Sequence, residues 1–134
     1  MALNASTRLR NRRADVVEEI IGTGGILRIR SGAKPTTAAD ARTGIILAEI
    51  NLPADFLTAA VNGVKSINGT WTDAAANGTG PAGYFDIEGA GGVIDLQGTV
   101  TITGGGGDLQ VDNTSFATNQ PFTITAFTLS EPNG

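Results

Sequence analysis

The sequence predicts a mainly β protein: a small antiparallel β-sandwich or barrel of about six or seven strands, with one N-terminal α-helix. Three observations carry this. One stretch near the start places its apolar residues at helical spacing. Several later stretches alternate apolar and polar residues. The 19 glycines among 134 residues, about twice the usual share, gather between those stretches as NG, GTG, GAGG and GGGG. A chain of this length has room for one domain, which divides into an arm over 1–6, a helix over 7–22 and a β-domain over 26–130.

The helix comes first. In STRLRNRRADVVEEIIG, Leu9, Val16, Val17, Ile20 and Ile21, with Arg13 between, form one stripe at the 3.6-residue period. Ser6 or Thr7 can cap its start and Gly22 or Gly24 its end. Past Gly25 the period switches to two. Ile26 to Arg30 reads as a strand with Leu27 and Ile29 on one face; Ile45 to Leu52 reads as another, with Ile46, Ala48, Ile50 and Leu52 together. KPTTAADARTG between them is a polar loop. LPADFLTAAVNG suggests one helical turn and a bend. Val64 to Thr72 puts Ile67 and Trp71 on one face, and Tyr84 to Glu88 points Phe85 and Ile87 inward. The clearest alternation is VIDLQGTVTIT: Ile94, Leu96, Gly98, Val100 and Ile102 on one face, Asp95, Gln97, Thr99, Thr101 and Thr103 on the other. LQV at Leu109 is a short strand. In FTITAFTLS, Phe122, Ile124 and Ala126 share a face while Phe127 and Leu129 take the opposite one, so either a bulge resets the register or both faces are covered.

Composition excludes much chemistry. The chain has no Cys and no His, which removes thiol nucleophiles, disulfides, imidazole bases and the usual structural zinc sites. No apolar run approaches the roughly 20 residues of a membrane-spanning helix, and no signal-peptide core opens the chain. These features suit a soluble chain in a reducing compartment. GTGPAG, at Gly78, Gly80 and Gly83, has the letters of a dinucleotide fingerprint. That mechanism needs a strand before it and a helix after it; here DAAAN precedes and the strand YFDIE follows. Asp86, Glu88 and Asp95 read as a solvated sheet face rather than a carboxylate pair, and Asp108 and Asp112 lack Ca²⁺-loop spacing. No catalytic, cofactor-binding or metal-binding set is expected.

Charge is unevenly distributed. Residues 1–42 hold eight of the nine bases and four acids, whereas residues 43–134 hold Lys65 alone against nine acids. The helix also carries its charges backwards. Acids favour a helix start and bases its end, yet Arg8, Arg10, Arg12 and Arg13 come early and Glu18 and Glu19 late. Two readings stand. The arginines, with Arg28 and Arg30 next, form a surface for an acidic partner or for the acidic β-domain of a neighbouring copy; or they are a solvated face whose stems cover core. A sequence pI near 4.6 and no aromatics interleaved with the basic helix argue against nucleic acid.

The phrases STRLRN, GILRIRSGAKP, TGIILAEINLP and FTITAFTLSEP, in that order, resemble small Gly- and Thr-rich virion structural proteins of tailed bacteriophages and prophages. The resemblance implies a non-enzymatic capsid decoration, or cement, protein that is made in the bacterial cytoplasm and carried on the capsid surface. It would bind the major capsid protein as a homo-oligomer, a trimer being favoured, with no cofactor, nucleic acid or membrane partner. A low-copy tail or head-to-tail connection protein is the alternative, followed by a carbohydrate-binding β-domain using Trp71.

Overall fold

The computed structural model describes residues 3–73 and 75–130, so the first two residues of the expected arm lie outside it. A helix, α1 (Thr7–Ile21), precedes ten strands: β1 (Ile26–Arg30), β2 (Ile46–Asn51), β3 (Val64–Ser66), β4 (Thr72–Asp73), β5 (Gly80–Pro81), β6 (Tyr84–Glu88), β7 (Ile94–Ile102), β8 (Leu109–Val111), β9 (Ser115–Phe116) and β10 (Phe122–Ser130). Seven of them form one curled sheet, in the order β2-β1-β6-β7-β8-β10-β3, that closes about half a barrel. β4 also pairs with β10, and β5 with β9. The mainly β architecture with one helix near the N-terminus is the one the sequence predicts. The two-residue strands escape sequence reading because alternation needs more positions to register.

The concave face holds the core. Leu27 and Ile29 of β1, Phe85 and Ile87 of β6, Leu109 and Val111 of β8 and Phe127 of β10 are buried there. Trp71 is its aromatic hub, with Phe127 at 5.5 Å and Phe56 at 6.1 Å between ring centroids; Phe85 meets Phe127 edge-on at 5.8 Å. Such tilted and edge-on pairs add to plain area burial.

Several expectations are corrected. In β2 the ladder slips between Ile29 and Arg30, whose partners are Ala48 and Ile46. Leu47 is the extra residue, and it is buried beside Ala48 while Ile46 is exposed. A bulge re-aims side chains in this way. The segment 53–63 holds no helix; Phe56 and Leu57 are buried, and Leu57 bridges Ile67. The expected strand from Val64 to Thr72 is broken into β3 and β4. In β10 the register shifts between Ile124 and Ala126, so the bulge is the alternative realised, and it turns Phe127 inward.

The sheet is also not wholly antiparallel. β7 and β8 are parallel, with Val100 opposite Leu109 and Ile102 opposite Val111, although only residues 103–108 connect them. Parallel neighbours ordinarily need a dozen or more linking residues. The four-glycine run makes the shorter return possible. It doubles back over Thr101, where a Cβ on Gly107 would lie 2.7 Å from the Thr101 methyl, and Gly104 and Gly106 take φ near +85° and +83°. Thr101 Oγ1 accepts from the Gly107 amide at 2.9 Å, and Asp108 Oδ2 accepts from the Thr99 amide at 3.0 Å.

The convex face of β1, β6 and β7 is polar and largely covered. Arg28 pairs with Glu49 (2.8 Å) and Glu88 (3.4 Å), and Arg30 with Asp86 (2.8 Å). Residues 33–43 lie over this ladder. Arg42 donates to the carbonyls of Thr37, Ala38 and Asp40 and to Gln97 Oε1, and it sits 3.6 Å from Asp86 Oδ2. Asp86 is thereby fully buried. The expected wet face of this part of the sheet is an ion-pair layer under a loop.

Candidate interaction surface

Local chemistry builds α1 and tertiary contacts orient it. Ser6 caps the start, its Oγ accepting from the Leu9 amide at 3.1 Å. Gly22, at φ +77°, ends the helix by donating its amide to the Glu18 carbonyl. Near the N-terminal end, Asn11 Oδ1 accepts from the Gly63 amide at 2.7 Å. Gly63 and Asn62 both have positive φ, as a two-residue Asn-Gly hairpin turn requires. Arg10 lies along that turn, its Cβ only 3.1 Å from where a Gly63 Cβ would stand.

Toward its C-terminal half α1 is anchored by charge. Lys65, only 4% exposed, donates to Asp15 Oδ1 at 2.8 Å and lies 2.9 Å from Glu18 Oε1. Glu18 Oε2 also accepts from the Leu57 amide at 3.2 Å. Burial pulls the Lys65 pKa down, but hydrogen bonds to Asp15 and Glu18 and their charges outweigh it, and the pKa ends above the ordinary lysine value. The lone base of the acidic segment thus meets two of the helix acids. Ala14 and Ile21 are buried, and Val17 packs against the core.

The predicted apolar stripe is therefore split. Val17 and Ile21 face the sheet, whereas Leu9 (46% exposed), Val16 (40%) and Ile20 (56%) face outward. Positions 9, 16 and 20 lie on one helical face, with Arg12 and Arg13 between them and Arg8 beside Leu9. Arg8 and Arg13 have no ion-pair partner among the described residues. Arg12 has only Glu19 at 3.9 Å, with both side chains exposed, which contributes little.

The six predicted contact residues do not form one patch. Arg8, Arg12 and Arg13 share the outer side of α1, and Arg10 packs on the Gly63 turn. Arg28 and Arg30 are held in the convex ladder. Burial tends to lower the Arg28 pKa, but its hydrogen bond to Glu49 and the charge of Glu88 outweigh that, leaving the pKa raised. Sequence reasoning missed the exposed Leu9, Val16 and Ile20. The signal was present in the adjacent pairs Val16-Val17 and Ile20-Ile21, since neighbours 100° apart cannot both face one narrow core contact.

The other motifs have structural roles. GTGPAG contains β5 and leads into the strand β6 rather than into a helix. Asp112 Oδ1 accepts from the Thr123 amide. No group of three or more acidic side chains suited to a metal ion occurs among the described residues. All seven aromatic rings, Trp71 and Tyr84 included, are buried, which leaves no ring platform exposed for a sugar. Compared with known proteins, the chain matches no family model, no curated protein and no solved structure.

Proposed function

We propose that this chain is a non-enzymatic structural protein of a tailed-phage virion, which decorates the capsid and stabilises it by binding major capsid subunits on the outer surface. The observation that carries the reading is the outer face of α1. Leu9, Val16 and Ile20 stand exposed among Arg8, Arg12 and Arg13, on a helix whose other side is already secured by Lys65, Asn11 and Ile21. An apolar strip rimmed by exposed cations suits a protein surface that is itself apolar and acidic. The resemblance carried by STRLRN, GILRIRSGAKP, TGIILAEINLP and FTITAFTLSEP supplies the setting. A protein that binds only the assembled lattice stabilises it by mass action, and symmetric shells favour symmetric oligomers as binders.

Quantitative mass spectrometry of purified particles tests the reading. It expects a fixed, high ratio to the major capsid protein; a copy number fit for a single ring at one vertex overturns it in favour of a tail or head-to-tail connection role. Binding to undecorated capsids should weaken as salt rises from about 0.1 to about 1 M, because the screening length falls from about 10 to about 3 Å. Arg8→Ala/Arg12→Ala/Arg13→Ala should lower occupancy, and unchanged occupancy removes these residues from the interface.

A further inference from the structure

The curled sheet has a gap. β8 is three residues long, while β7 and β10 on its two sides each run for nine. Before Leu109 the chain turns away, leaving Asp108 on the Thr99 amide and hydroxyl. The first part of β7 and the far end of β10 then face each other with no strand between. Each is held on its other flank, β7 by β6 and β10 by β3, so they cannot close together. A cavity of ≈ 340 Å³ lies there, lined by Leu96, Gln97, Asp108, Phe127, Thr128 and Leu129 among others. Where β8 does intervene, its two neighbours are two inter-strand spacings apart, about 10 Å, which is room for one extended chain.

Both walls turn backbone groups into this slot. Along a strand, the amide and carbonyl of a residue point to one side and those of the next residue to the other. The Thr99 amide points to the β8 side, where it meets Asp108; two residues earlier, Gln97 presents its amide and carbonyl to the cavity. On β10, Thr128 and Ser130 stand opposite Ser66 and Val64. Both of those turn their own backbone groups away from β10: the Ser66 carbonyl accepts from Thr58 at 2.8 Å, and Val64 exchanges both bonds with Val61 at 3.0 Å. Thr128 and Ser130 are thus the non-bonded positions of the β3 ladder, and their backbone groups face the slot. Thr128 adjoins the Phe127–Leu109 pair and so faces Asp108, which leaves Gln97 and Ser130 as the positions turned toward the open part of the slot.

We propose that the slot takes an extended strand from a second copy of this chain, namely its N-terminal arm at Leu3–Ser6, which continues the path of β8. The arm has no regular structure. Leu3, at 73% exposed, is the most exposed large apolar side chain among the described residues, and Leu96 and Phe127 offer it an apolar floor. Charge favours the same donor. The arm leads directly into Arg8, Arg10, Arg12 and Arg13, while Asp108 stands at the slot within a segment of nine acids and one base. Main-chain bonds would supply affinity and the Leu3 pocket specificity, as in other strand additions. Passing each arm to the next copy is a heterologous contact, which closes into a ring when the rotation allows.

The test uses the purified chain alone, so its outcome is separate from that of the decoration reading. The absence of native cysteine gives a clean probe. Leu3→Cys and Leu129→Cys proteins, mixed and oxidised, should yield the mixed disulfide dimer at least about tenfold over Leu3→Cys mixed with Thr23→Cys, because Leu129 shares the inward face with Phe127 and docking raises the local concentration of one thiol at the other. In sedimentation at tens of micromolar, the parent should be oligomeric and Leu3→Asp should shift to monomer with an unchanged far-ultraviolet dichroism spectrum. Equal dimer yields, a Leu3→Cys/Leu129→Cys disulfide that forms only within one chain, a monomeric parent, or an oligomer indifferent to Leu3→Asp each overturn the proposal.

Discussion

Lys65 shows how much one side chain can decide. It is the only base after residue 42, and it joins β3 to Asp15 and Glu18 of α1. Lys65→Met leaves Asp15 and Glu18 side by side without their cation, both still partly open to solvent, and urea unfolding should show a loss of about 2 kcal/mol. Its pKa is raised on folding above 10.5. The stabilisation it provides is therefore complete below that value, flat through neutral pH, and lost as pH climbs through the higher folded value. Urea melts from neutral to strongly alkaline pH should show that decline in the parent and its absence in Lys65→Met. Arg42 has a similar role in the loop. Arg42→Ala removes hydrogen bonds to three loop carbonyls and Gln97, a loss of about 2 kcal/mol by the usual strength of charged hydrogen bonds, and limited proteolysis should then cut within residues 34–43. Neither role is written locally. Both depend on partners some 50 positions away, and composition shows only that the charges exist and are unevenly placed.

Among the elements, α1 separates what periodicity reveals from what it hides. Its boundaries were legible because Ser6 and Gly22 are strong caps and the apolar spacing is helical. Its orientation was not, since two pairs of adjacent apolar residues offered two faces and only Lys65 and the Gly63 turn select between them. The distinction can be measured. Ile21→Ala should destabilise by about 3 kcal/mol, as expected for a buried aliphatic truncation, while Val16→Gln and Ile20→Gln should stay within about 0.5 kcal/mol and yet lower occupancy on capsids. β6 and β10 matched the sequence reading to the residue, because turn residues bound both runs: Gly83 and Gly89 flank β6, and Pro121 precedes β10. β10 also announced its bulge, since Phe127 and Leu129 fall out of phase with Phe122 and Ile124. The parallel return from β7 to β8 was not foreseeable, because glycines license a sharp loop without stating where it goes.

For the whole molecule, the pairing pattern predicts cooperative unfolding. Trp71 sits among Phe56 and Phe127 and donates no side-chain hydrogen bond to any described residue, so its fluorescence reports on the core, while far-ultraviolet dichroism reports on the sheet. Denaturant curves from the two should coincide, as for a single all-or-none transition; separated midpoints would show that part of the sheet melts independently. The reason lies in β10, which pairs with β3, β4 and β8 at once. That arrangement also has a consequence in time. As the chain is synthesised, β10 emerges after every strand it joins, and those strands wait with open edges for pairings that bridge as many as 65 intervening residues. Long closures of this kind are slow, so nascent chains must be kept from one another until Phe122–Ser130 arrives.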